Sequence, residues 1–290
     1  MMIKQISSWT FAPLILILVI GVLAIATSSP GYAAQSVRRH SGLGRTAPFS
    51  PGACDQGPFN LPGTRRYDLD EVAGDWGAFC EGTPTWIITN VTTPTLDTQS
   101  LRCSITGGNP YSNVHCYRVF LADPYVTVFT LSLSFYFTPT TTFNTITSTV
   151  QALEFTMNKW HQSQRYEFAL QWQNVGTGAP QWRYWDPNQP TEKWVSTGIT
   201  GTLAGEQWHT FVMEGEIIGG QVYYRKFIID AQEHLLGITV SPFPAPSEPD
   251  RLAIAVQLDG NSEEKPYDVF IDKVTFWRLP NFGFFPTISK

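Results

Sequence analysis

The sequence predicts an all-β protein in which two antiparallel sheets pack face to face. Charged residues make up 15% of the 290 positions and aromatic residues 14%, while threonine, glycine and proline are plentiful. This composition is typical of many β-strands joined by turns. Strand-like segments recur roughly every ten to fifteen residues, which is the spacing of a sandwich or a barrel. Apolar residues do not recur with the helical period of about 3.6, so we expect no long helices in this region.

The N-terminus has the features of an export signal. Lys4 precedes an almost wholly apolar run, Phe11–Ala26, and the small residues of "SSPGYAA" follow it. Cleavage after Ala33 would make residues 1–33 a signal peptide and would leave the mature protein secreted, with no membrane span. The alternative is an uncleaved signal that anchors the chain in a membrane, because the apolar run is only slightly shorter than a bilayer span requires.

The rest of the chain divides by composition. Residues 34–66 carry several arginines among serine, glycine and proline, without apolar periodicity, and this predicts a disordered basic linker. We expect residues 67–95 to be a cysteine-containing extension packed on the sandwich, residues 96–280 to be the sandwich, and residues 281–290 to be a tail. The formal net charge of −5 and the lack of a basic patch in the main body argue against a nucleic-acid partner.

The four cysteines, Cys54, Cys80, Cys103 and Cys116, all lie in the first half of the chain. An even number of cysteines in an exported chain favours two disulfides, for which three connectivities exist. We expect the pairs 54–80 and 103–116 to staple the N-terminal region, because the second pair would link two neighbouring strands. A zinc site is the alternative, but the four cysteines form no CxxC pair.

Alternation along three predicted strands assigns a face to each side chain. The apolar, inward-facing sets are Leu153, Phe155 and Met157, then Tyr166, Phe168, Leu170 and Trp172, and finally Leu252, Ile254, Val256 and Leu258. The outer sets are Glu154, Thr156 and Asn158, then Arg165, Glu167, Gln171 and Gln173, and finally Ala253, Ala255, Gln257 and Asp259. These outer sets are rich in small, amide and acidic side chains, which suit hydrogen bonding to sugar hydroxyl groups. An ordinary solvent-facing surface is the alternative.

The segment "QWRYWDPNQPTEKWVSTG" is unusually rich in tryptophan. Alternation places Trp182 and Tyr184 in the core, and it places Arg183 and Trp185 on the outer face. Trp185 is therefore a candidate for stacking on a sugar ring. Trp194 follows a turn and is either part of the rim of a binding face or an anchor for its loop. The resulting candidates for ligand binding are Asn158, Gln171, Gln173, Arg183, Trp185, Trp194 and Gln257.

Three stretches resemble secreted concanavalin A-like lectin/glucanase (LamG-like) jelly rolls. They are "QALEFTMNKW", "WRYWD…KWVSTGI…WHTF" and "QLDGN…PYDVFIDKVTFW", and the resemblance covers residues 96–279. It implies a jelly-roll sandwich whose concave face binds or cleaves polysaccharide. Many members of the group have no established activity, so the resemblance predicts a fold more firmly than a reaction.

The resemblance also raises the question of catalysis. Glucanases of this fold carry an ExDxE strand, whereas this chain keeps only the first acid, Glu154, with Thr156 and Asn158 at the other two positions. If the two strands after residue 151 form a hairpin, Glu154 and Glu167 fall almost opposite each other, with Cβ atoms about 5 Å apart. A retaining glycosidase holds its two carboxyl groups about 5–5.5 Å apart. The alternative is that Arg165 or Arg183 neutralises the two acids.

Two other kinds of site were considered. Lyases of this fold combine arginine, glutamine, histidine and tyrosine in one cleft, and His209 and Tyr184 are candidates here. Asp259, Asn261 and Asp272 lie in or near an acidic segment that offers oxygen ligands for a structural Ca²⁺. The alternative for that segment is a tight turn before the last strand. No cofactor is required by any motif.

The sequence therefore favours a secreted, monomeric, glycan-binding β-sandwich whose partner is an extracellular polysaccharide or cell-surface glycan. The first alternative is a retaining glycoside hydrolase that uses Glu154 and Glu167. The second is a structural or adhesive cell-surface protein without catalysis.

Overall fold

A computed structural model describes residues 65–66, 68–107, 109, 111–138, 149–175 and 178–280. The predicted signal peptide, the linker up to residue 64, Cys54 and the predicted tail lie outside these described residues. Within them, no helix is long and apolar enough to cross a membrane.

The described chain is built almost entirely from antiparallel strands, as the sequence predicts. The strands are β1 Arg65–Arg66, β2 Gly77–Glu81, β3 Thr85–Val91, β4 Ser100–Thr106, β5 Asn113–Phe120, β6 Val126–Thr138, β7 Ala152–His161, β8 Gln164–Gln173, β9 Gln181–Trp185, β10 Trp194–Thr200, β11 His209–Ile218, β12 Gln221–Ile229, β13 Gln232–Val240, β14 Phe243–Pro244, β15 Arg251–Asp259 and β16 Tyr267–Pro280. A short 3-10 turn, Ala73–Asp75, precedes β2.

The strands form two eight-stranded sheets that pack into a sandwich. Sheet A has the order β13-β12-β11-β6-β16-β4-β3, with β1 beside β16. Sheet B has the order β10-β9-β8-β7-β15-β5-β2, with β14 beside β8. The two-sheet antiparallel sandwich predicted from the sequence is confirmed.

Three of the edge strands, β2, β3 and β10, were not predicted from the sequence. β2 and β3 come from the segment interpreted as an extension, and each supplies an edge strand to one sheet. β10 forms the far edge of sheet B, and its pairing with β9 is interrupted by a register shift between Ser196 and Thr200. An edge strand pairs with a neighbour along only one of its edges and can contain bulges, so its alternation of apolar and polar residues is weak.

The core lies between the inward faces of the two sheets and is dominated by aromatic rings. Phe155 of sheet B stacks on Phe211 of sheet A with ring centres 4.2 Å apart. Trp182 lies almost parallel to Phe211 at 5.6 Å, and Trp172 is also fully buried. Burying one such side chain contributes about 1.5–3 kcal/mol to stability. The inward faces predicted for β7, β8 and β15 are therefore confirmed, and two of the four rings of the tryptophan-rich segment, Trp182 and Tyr184, serve packing.

The predicted disulfide between neighbouring strands is wrong. Cys103 and Cys116 lie on strands consecutive in the chain, but these strands belong to different sheets. Both side chains are fully buried, and they contact each other as free thiols across the interior. Burial, with Cys116 adding to the effect, raises the pKa of the Cys103 thiol well above its ordinary value. Cys80 is also a free thiol, while its predicted partner Cys54 lies outside the described residues.

Candidate functional site

The candidate site is the outer face of sheet B, meaning the face whose side chains point away from the core. The strand register aligns one outward-facing side chain from each of the seven strands β10-β9-β8-β7-β15-β5-β2 in a single row across sheet B. From β10 to β2 the row reads Ser196, Arg183, Gln171, Glu154, Gln257, His115 and Phe79. Because cross-strand neighbours have Cβ atoms about 5 Å apart, each of these side chains can contact the next.

Hydrogen bonds join the middle of this row into a network. The Arg183 guanidinium donates from Nε to Gln171 Oε1 at 2.9 Å, and its Nη2 group contacts the same oxygen. This leaves the Gln171 amide nitrogen pointing the other way, where it donates to Glu154 Oε1 at 2.6 Å. The same nitrogen lies 3.4 Å from Asp259 Oδ2, and Gln257 Nε2 donates to Asp259 Oδ1 at 2.7 Å. The network therefore connects four strands, β9, β8, β7 and β15.

The network is buried although it lies on the outer face. Glu154 is 5% exposed, Gln171 2% and Gln257 7%, whereas Asp259 keeps part of its surface accessible. Burial, together with the charge of Asp259, raises the pKa of Glu154 well above its ordinary value. Burial also raises the pKa of Asp259 to about 6. These effects favour the protonated form of Glu154, which can donate a hydrogen bond.

A second polar cluster lies further along β7 and β8. Arg165 donates to Asn158 Oδ1 at 2.8 Å and forms an ion pair with Glu167. Its guanidinium also lies 5.0 Å from the ring centre of Trp160, which is almost fully buried. Burial raises the pKa of Glu167, and the neighbouring Arg165 opposes that rise. Arg165 therefore neutralises Glu167, as the alternative to a catalytic pair predicted.

Aromatic rings border the polar centre at both edges of the sheet. On β9 and β10, Trp185 and Trp194 face each other with ring centres 5.2 Å apart in an edge-to-face arrangement. At the opposite edge, Phe79 stacks on His115 at 4.0 Å and contacts Tyr117 at 5.8 Å. Phe79 is 48% exposed. Rings at the margins and amides between them give the face both stacking surfaces and hydrogen-bonding groups.

All seven residues predicted to bind a ligand lie on this one face. Asn158, Gln171 and Gln257 form part of its buried centre, and Arg183 lies next to them. Gln173 faces Ala152 and accepts a hydrogen bond from Gln181 at 3.1 Å. Trp185 and Trp194 lie at one margin, so Trp194 belongs to the rim. Their binding of a ligand stays a prediction.

The predicted pairing of Glu154 with Glu167 is wrong in register. Glu154 faces Gln171, whereas Glu167 faces Asn158, four residues further along β7. At about 3.3 Å per residue this separation is about 13 Å along the strand. The cause is the hairpin turn, which contains only Gln162 and Ser163, since His161 already pairs with Gln164. The carboxyl group that does contact Glu154 is Asp259, which the sequence analysis assigned to a calcium site.

The three predicted calcium ligands do not form one site. Asn261 accepts hydrogen bonds from the backbone of Glu263 and Lys265, which makes it the centre of a turn. Asp272 accepts from the Leu96 backbone at 2.6 Å in sheet A. It lies five residues beyond Tyr267, whose hydroxyl group binds Asp259 O, and five residues of strand span roughly 17 Å. Among the described residues, no group of three or more acidic, histidine or cysteine side chains could hold a metal ion.

The histidine and tyrosine considered for a lyase lie elsewhere. His209 is buried in sheet A, where its ring nitrogens contact Asp230 Oδ2 at 2.7 Å and Ala204 O at 2.8 Å. Tyr184 packs against the core and contacts Tyr224. Instead, the outer face of sheet B carries His115 and Tyr117, which alternate with buried Val114 and Cys116 along β5. That alternation is visible in the sequence and could have identified both residues.

The surroundings of His115 in this row determine its protonation state. Loss of contact with water, together with the charge of Arg165, lowers the pKa of His115 to about 3. The imidazole is therefore neutral at physiological pH, so one ring nitrogen can accept a hydrogen bond.

Comparisons with known proteins find similar structures but no protein of similar sequence. No protein-family model and no curated protein matches this sequence. Among solved structures, an endo-β-1,4-glucuronan lyase from the fungus Trichoderma reesei is 15% identical over 74% of this chain and 95% of its own, with a TM-score of 0.49. The carbohydrate recognition domain of Emp47p is 13% identical over 75% and 97%, with a TM-score of 0.43. Alginate lyase Aly36B is 10% identical over 61% and 80%, with a TM-score of 0.41.

Proposed function

We propose that the protein binds an extracellular polysaccharide chain on the outer face of sheet B. The observation that carries this proposal is the continuous row of amide, carboxyl, guanidinium and aromatic side chains across that face. Sugar hydroxyl groups both donate and accept hydrogen bonds, and the row offers a partly exposed donor in Arg183 and a partly exposed acceptor in Asp259. Sugar rings also carry apolar C–H faces, for which Trp185, Trp194 and Phe79 are suitable partners.

The dimensions of the row suit a chain of several sugar units. Strands in a sheet lie about 4.8 Å apart, so seven strands span about 29 Å from Ser196 to Phe79. The row runs across the strands rather than along one of them, so a linear glycan would contact residues from every strand. This arrangement supports binding within a chain rather than capture of one terminal sugar.

The charges on the face balance one another, which supports an uncharged glycan. Arg165 pairs with Glu167, and Arg183 lies close to the buried acids Glu154 and Asp259. The described outer-face positions of sheet B contain no lysine. Lys159 of β7 points inward, where its Nζ donates to two backbone carbonyl oxygens at 2.8 Å. A polyanion would therefore find no excess of positive charge on this face.

The spacing of the carboxyl groups supports binding over glycoside hydrolysis. A retaining enzyme needs its carboxyl groups about 5–5.5 Å apart, and an inverting one about 6.5–9.5 Å. Glu154 and Glu167 lie about 13 Å apart along the strand direction, whereas Glu154 and Asp259 lie within hydrogen-bonding distance of each other. The register therefore does not place Glu154 and Glu167 opposite each other, as the hydrolase alternative requires.

Affinity electrophoresis on a panel of neutral polysaccharides, including β-glucans, mannan and xylan, tests the proposal. We expect retarded migration on at least one of them, and reduced retardation for Trp185→Ala. Trp277→Ala is the control, because Trp277 is an exposed tryptophan on sheet A. If no polysaccharide retards the wild-type protein, the structural or adhesive alternative is favoured instead.

A second candidate function is a polysaccharide lyase, and one observation favours it. Arg183, Gln171, Gln257 and neutral His115 share the row, so cationic and amide groups lie on the same face as a neutral base. In such a reaction the base takes the proton next to a uronate carboxylate, a carbon–carbon double bond forms, and the glycosidic carbon–oxygen bond breaks. The leaving oxygen then takes a proton.

The lyase reaction has a direct readout. Each cleavage creates an unsaturated uronate that absorbs ultraviolet light, so incubation with polyuronates gives rising absorbance if this candidate is correct. We would then expect His115→Gln to abolish the rise, while His234→Gln, a substitution in sheet A, leaves it unchanged. Constant absorbance on all polyuronates would eliminate the lyase candidate. Secretion and a monomeric state stay predictions from the sequence.

A further inference from the structure

Glu154 and Asp259 form a pair of carboxyl groups in direct contact. Glu154 lies on β7 and faces Gln257, and Asp259 lies two residues beyond Gln257 on β15. The two carboxyl groups are within hydrogen-bonding distance of each other. Gln171 Nε2 contacts both of them, at 2.6 Å and 3.4 Å. Two ionised carboxylates cannot donate to each other, so contact of this kind needs a proton between them.

The neighbouring amides cannot donate a hydrogen between the two carboxyl groups, because other contacts fix the orientation of each amide. Arg183 has only donors, so Gln171 must turn its oxygen toward Arg183 and its amide nitrogen toward the acids. Gln257 already uses its amide nitrogen on Asp259 Oδ1 at 2.7 Å. The remaining contact, between the two carboxyl groups themselves, is satisfied only when one of them carries a hydrogen.

We propose that Glu154 and Asp259 share one proton at neutral pH, and that this proton controls the glycan-binding face. While the proton is present, it joins β7 to β15 and keeps the Gln171–Arg183 network in place. When it is lost, two negative charges face each other with little water, and one carboxylate must turn away, taking Gln171 out of position. The effect on glycans rests on the proposed function, whereas the sharing of the proton does not.

The charged and titratable groups around the pair come from every neighbouring strand. They are Glu167 and Arg165 on β8, Arg183 on β9, Glu192 before β10, His115 on β5, Glu81 on β2 and Tyr267 on β16. Among the described residues, Arg183 is the cation that acts on both acids, and Glu192 on its other side, at 3.9 Å, competes for it. Glu81 adds negative charge near Asp259.

The direction of the pH effect follows from these groups. The pair loses its first proton near pH 6, since burial raises the pKa of Asp259 to about 6. It keeps the second proton well above the ordinary range of a glutamate, since burial and Asp259 both raise the pKa of Glu154. His115 stays neutral throughout, because its pKa is lowered to about 3. We therefore expect an intact face from acid to neutral pH and a disrupted face under alkaline conditions.

Side-chain carboxyl ¹³C chemical shifts of the wild-type protein, followed against pH, test the sharing of the proton without any glycan. We expect one carboxyl to titrate near pH 6 and its partner to stay protonated far above that. Glu233, a half-exposed carboxylate of sheet A, is the internal reference. If Glu154 and Asp259 both titrate below about pH 5, as isolated carboxyls do, the proposal is overturned whether or not any glycan binds.

Affinity electrophoresis on the same neutral polysaccharides, at about pH 6 and at an alkaline pH where the titration shows the second proton lost, tests the control of binding. We expect affinity to fall about tenfold at the higher pH, which corresponds to about 1.4 kcal/mol. Glu154→Gln keeps the shape and supplies a permanent N–H toward Asp259, so its affinity should not change with pH. Glu233→Gln should behave like the wild type.

The outcomes separate the two proposals. Shared-proton titration together with affinity that is equal at both pH values overturns the control of binding by the proton. Shared-proton titration with no binding to any polysaccharide at either pH overturns the proposed function and leaves the shared proton standing. If Glu154→Gln does not fold, the wild-type titration and the wild-type pH series still decide both questions.

Discussion

Glu154 on β7 faces Gln171 on β8, and the Gln171 amide donates to the Glu154 carboxyl group at 2.6 Å. This contact places a buried acid in an amide network rather than opposite a second glutamate. The acid that it meets, Asp259, arrives from β15, far away in the chain. The chemistry of the outer face of sheet B follows from these three residues.

Glu154 should make the fold less stable as the pH rises. Because the pKa of Glu154 is raised in the folded state, the folded protein binds this proton more tightly than the unfolded chain. Stability linked to this group is therefore full below the ordinary pKa of glutamate and is lost as pH rises toward the folded-state pKa. Glu154→Gln should raise the melting temperature at pH 8 but not at pH 4, by about 2–4 °C per kcal/mol for a chain of this size.

The measurement is thermal unfolding followed by circular dichroism at both pH values. Glu233→Gln serves as the control, and we expect the same small shift at each pH for that variant. Equal melting temperatures for the wild type and Glu154→Gln at pH 8 would contradict the assignment of a raised pKa.

Arg183 should orient the Gln171 amide through its planar guanidinium. Arg183→Lys keeps the charge but cannot contact Gln171 Oε1 from two nitrogen atoms, as Arg183 does. We expect glycan affinity to fall about tenfold, or about 1.4 kcal/mol, with little change in melting temperature, because Arg183 is partly exposed. Isothermal titration with a bound oligosaccharide measures the first quantity. Arg225→Lys on sheet A is the control, and a similar loss there would argue against a specific role for Arg183.

Gly215 should be intolerant of any side chain. A Cβ atom at this position of β11 would lie 2.3 Å from Cδ1 of Phe168, a buried ring of the opposite sheet. Phe168 is packed against Phe129 and Tyr224 and cannot move aside freely. We expect Gly215→Ala to lower the free energy of unfolding by about 1–3 kcal/mol. Denaturant unfolding measures this, and Gly201→Ala, where a Cβ meets no atom within 4 Å, should be nearly neutral.

Asn90 should act as a structural anchor, although Asn90, Val91 and Thr92 form an N-glycosylation sequon. Its side chain accepts from the Ala73 backbone at 2.6 Å and donates to Asp70 O at 2.7 Å, which ties the 3-10 turn to β3. Asn90→Ala leaves both backbone groups without this partner, so we expect a loss of about 1–3 kcal/mol. Thr92→Val destroys the same sequon but none of these bonds, and its denaturation midpoint should match that of the wild type.

The hydrogen bonds of Asn90 also predict whether this residue is glycosylated. A glycan on Asn90 would replace one of the two hydrogens of an amide nitrogen that contacts both Asp70 O and Ser100 O. We therefore expect protein secreted from a eukaryotic host to show no mass change at Asn90 after treatment with an endoglycosidase. Efficient modification of folded protein at this position would contradict the anchoring role.

The register of the β7–β8 hairpin shows why the sequence alone misplaced the acids. A two-residue hairpin turn is recognised in a sequence by asparagine and glycine, which adopt positive φ easily. Here the turn is made by Gln162 and Ser163, with φ values of 51° and 60°. Nothing in these two residue types marks a turn, so the predicted register was shifted by four residues. A shift by an even number keeps every side chain on its correct face.

The sequence by itself determined which face each side chain of the central strands occupies, because alternation is a property of a single strand. This was enough to predict the two-sheet sandwich, the buried Trp172 and Trp182, and the outer positions of Glu154, Gln171, Arg183 and Trp185. The tertiary structure alone decided which strands are neighbours and in what register. That choice depends on turns and on packing between residues distant in the chain, and it alone brought Asp259 to Glu154 and His115 opposite Gln257.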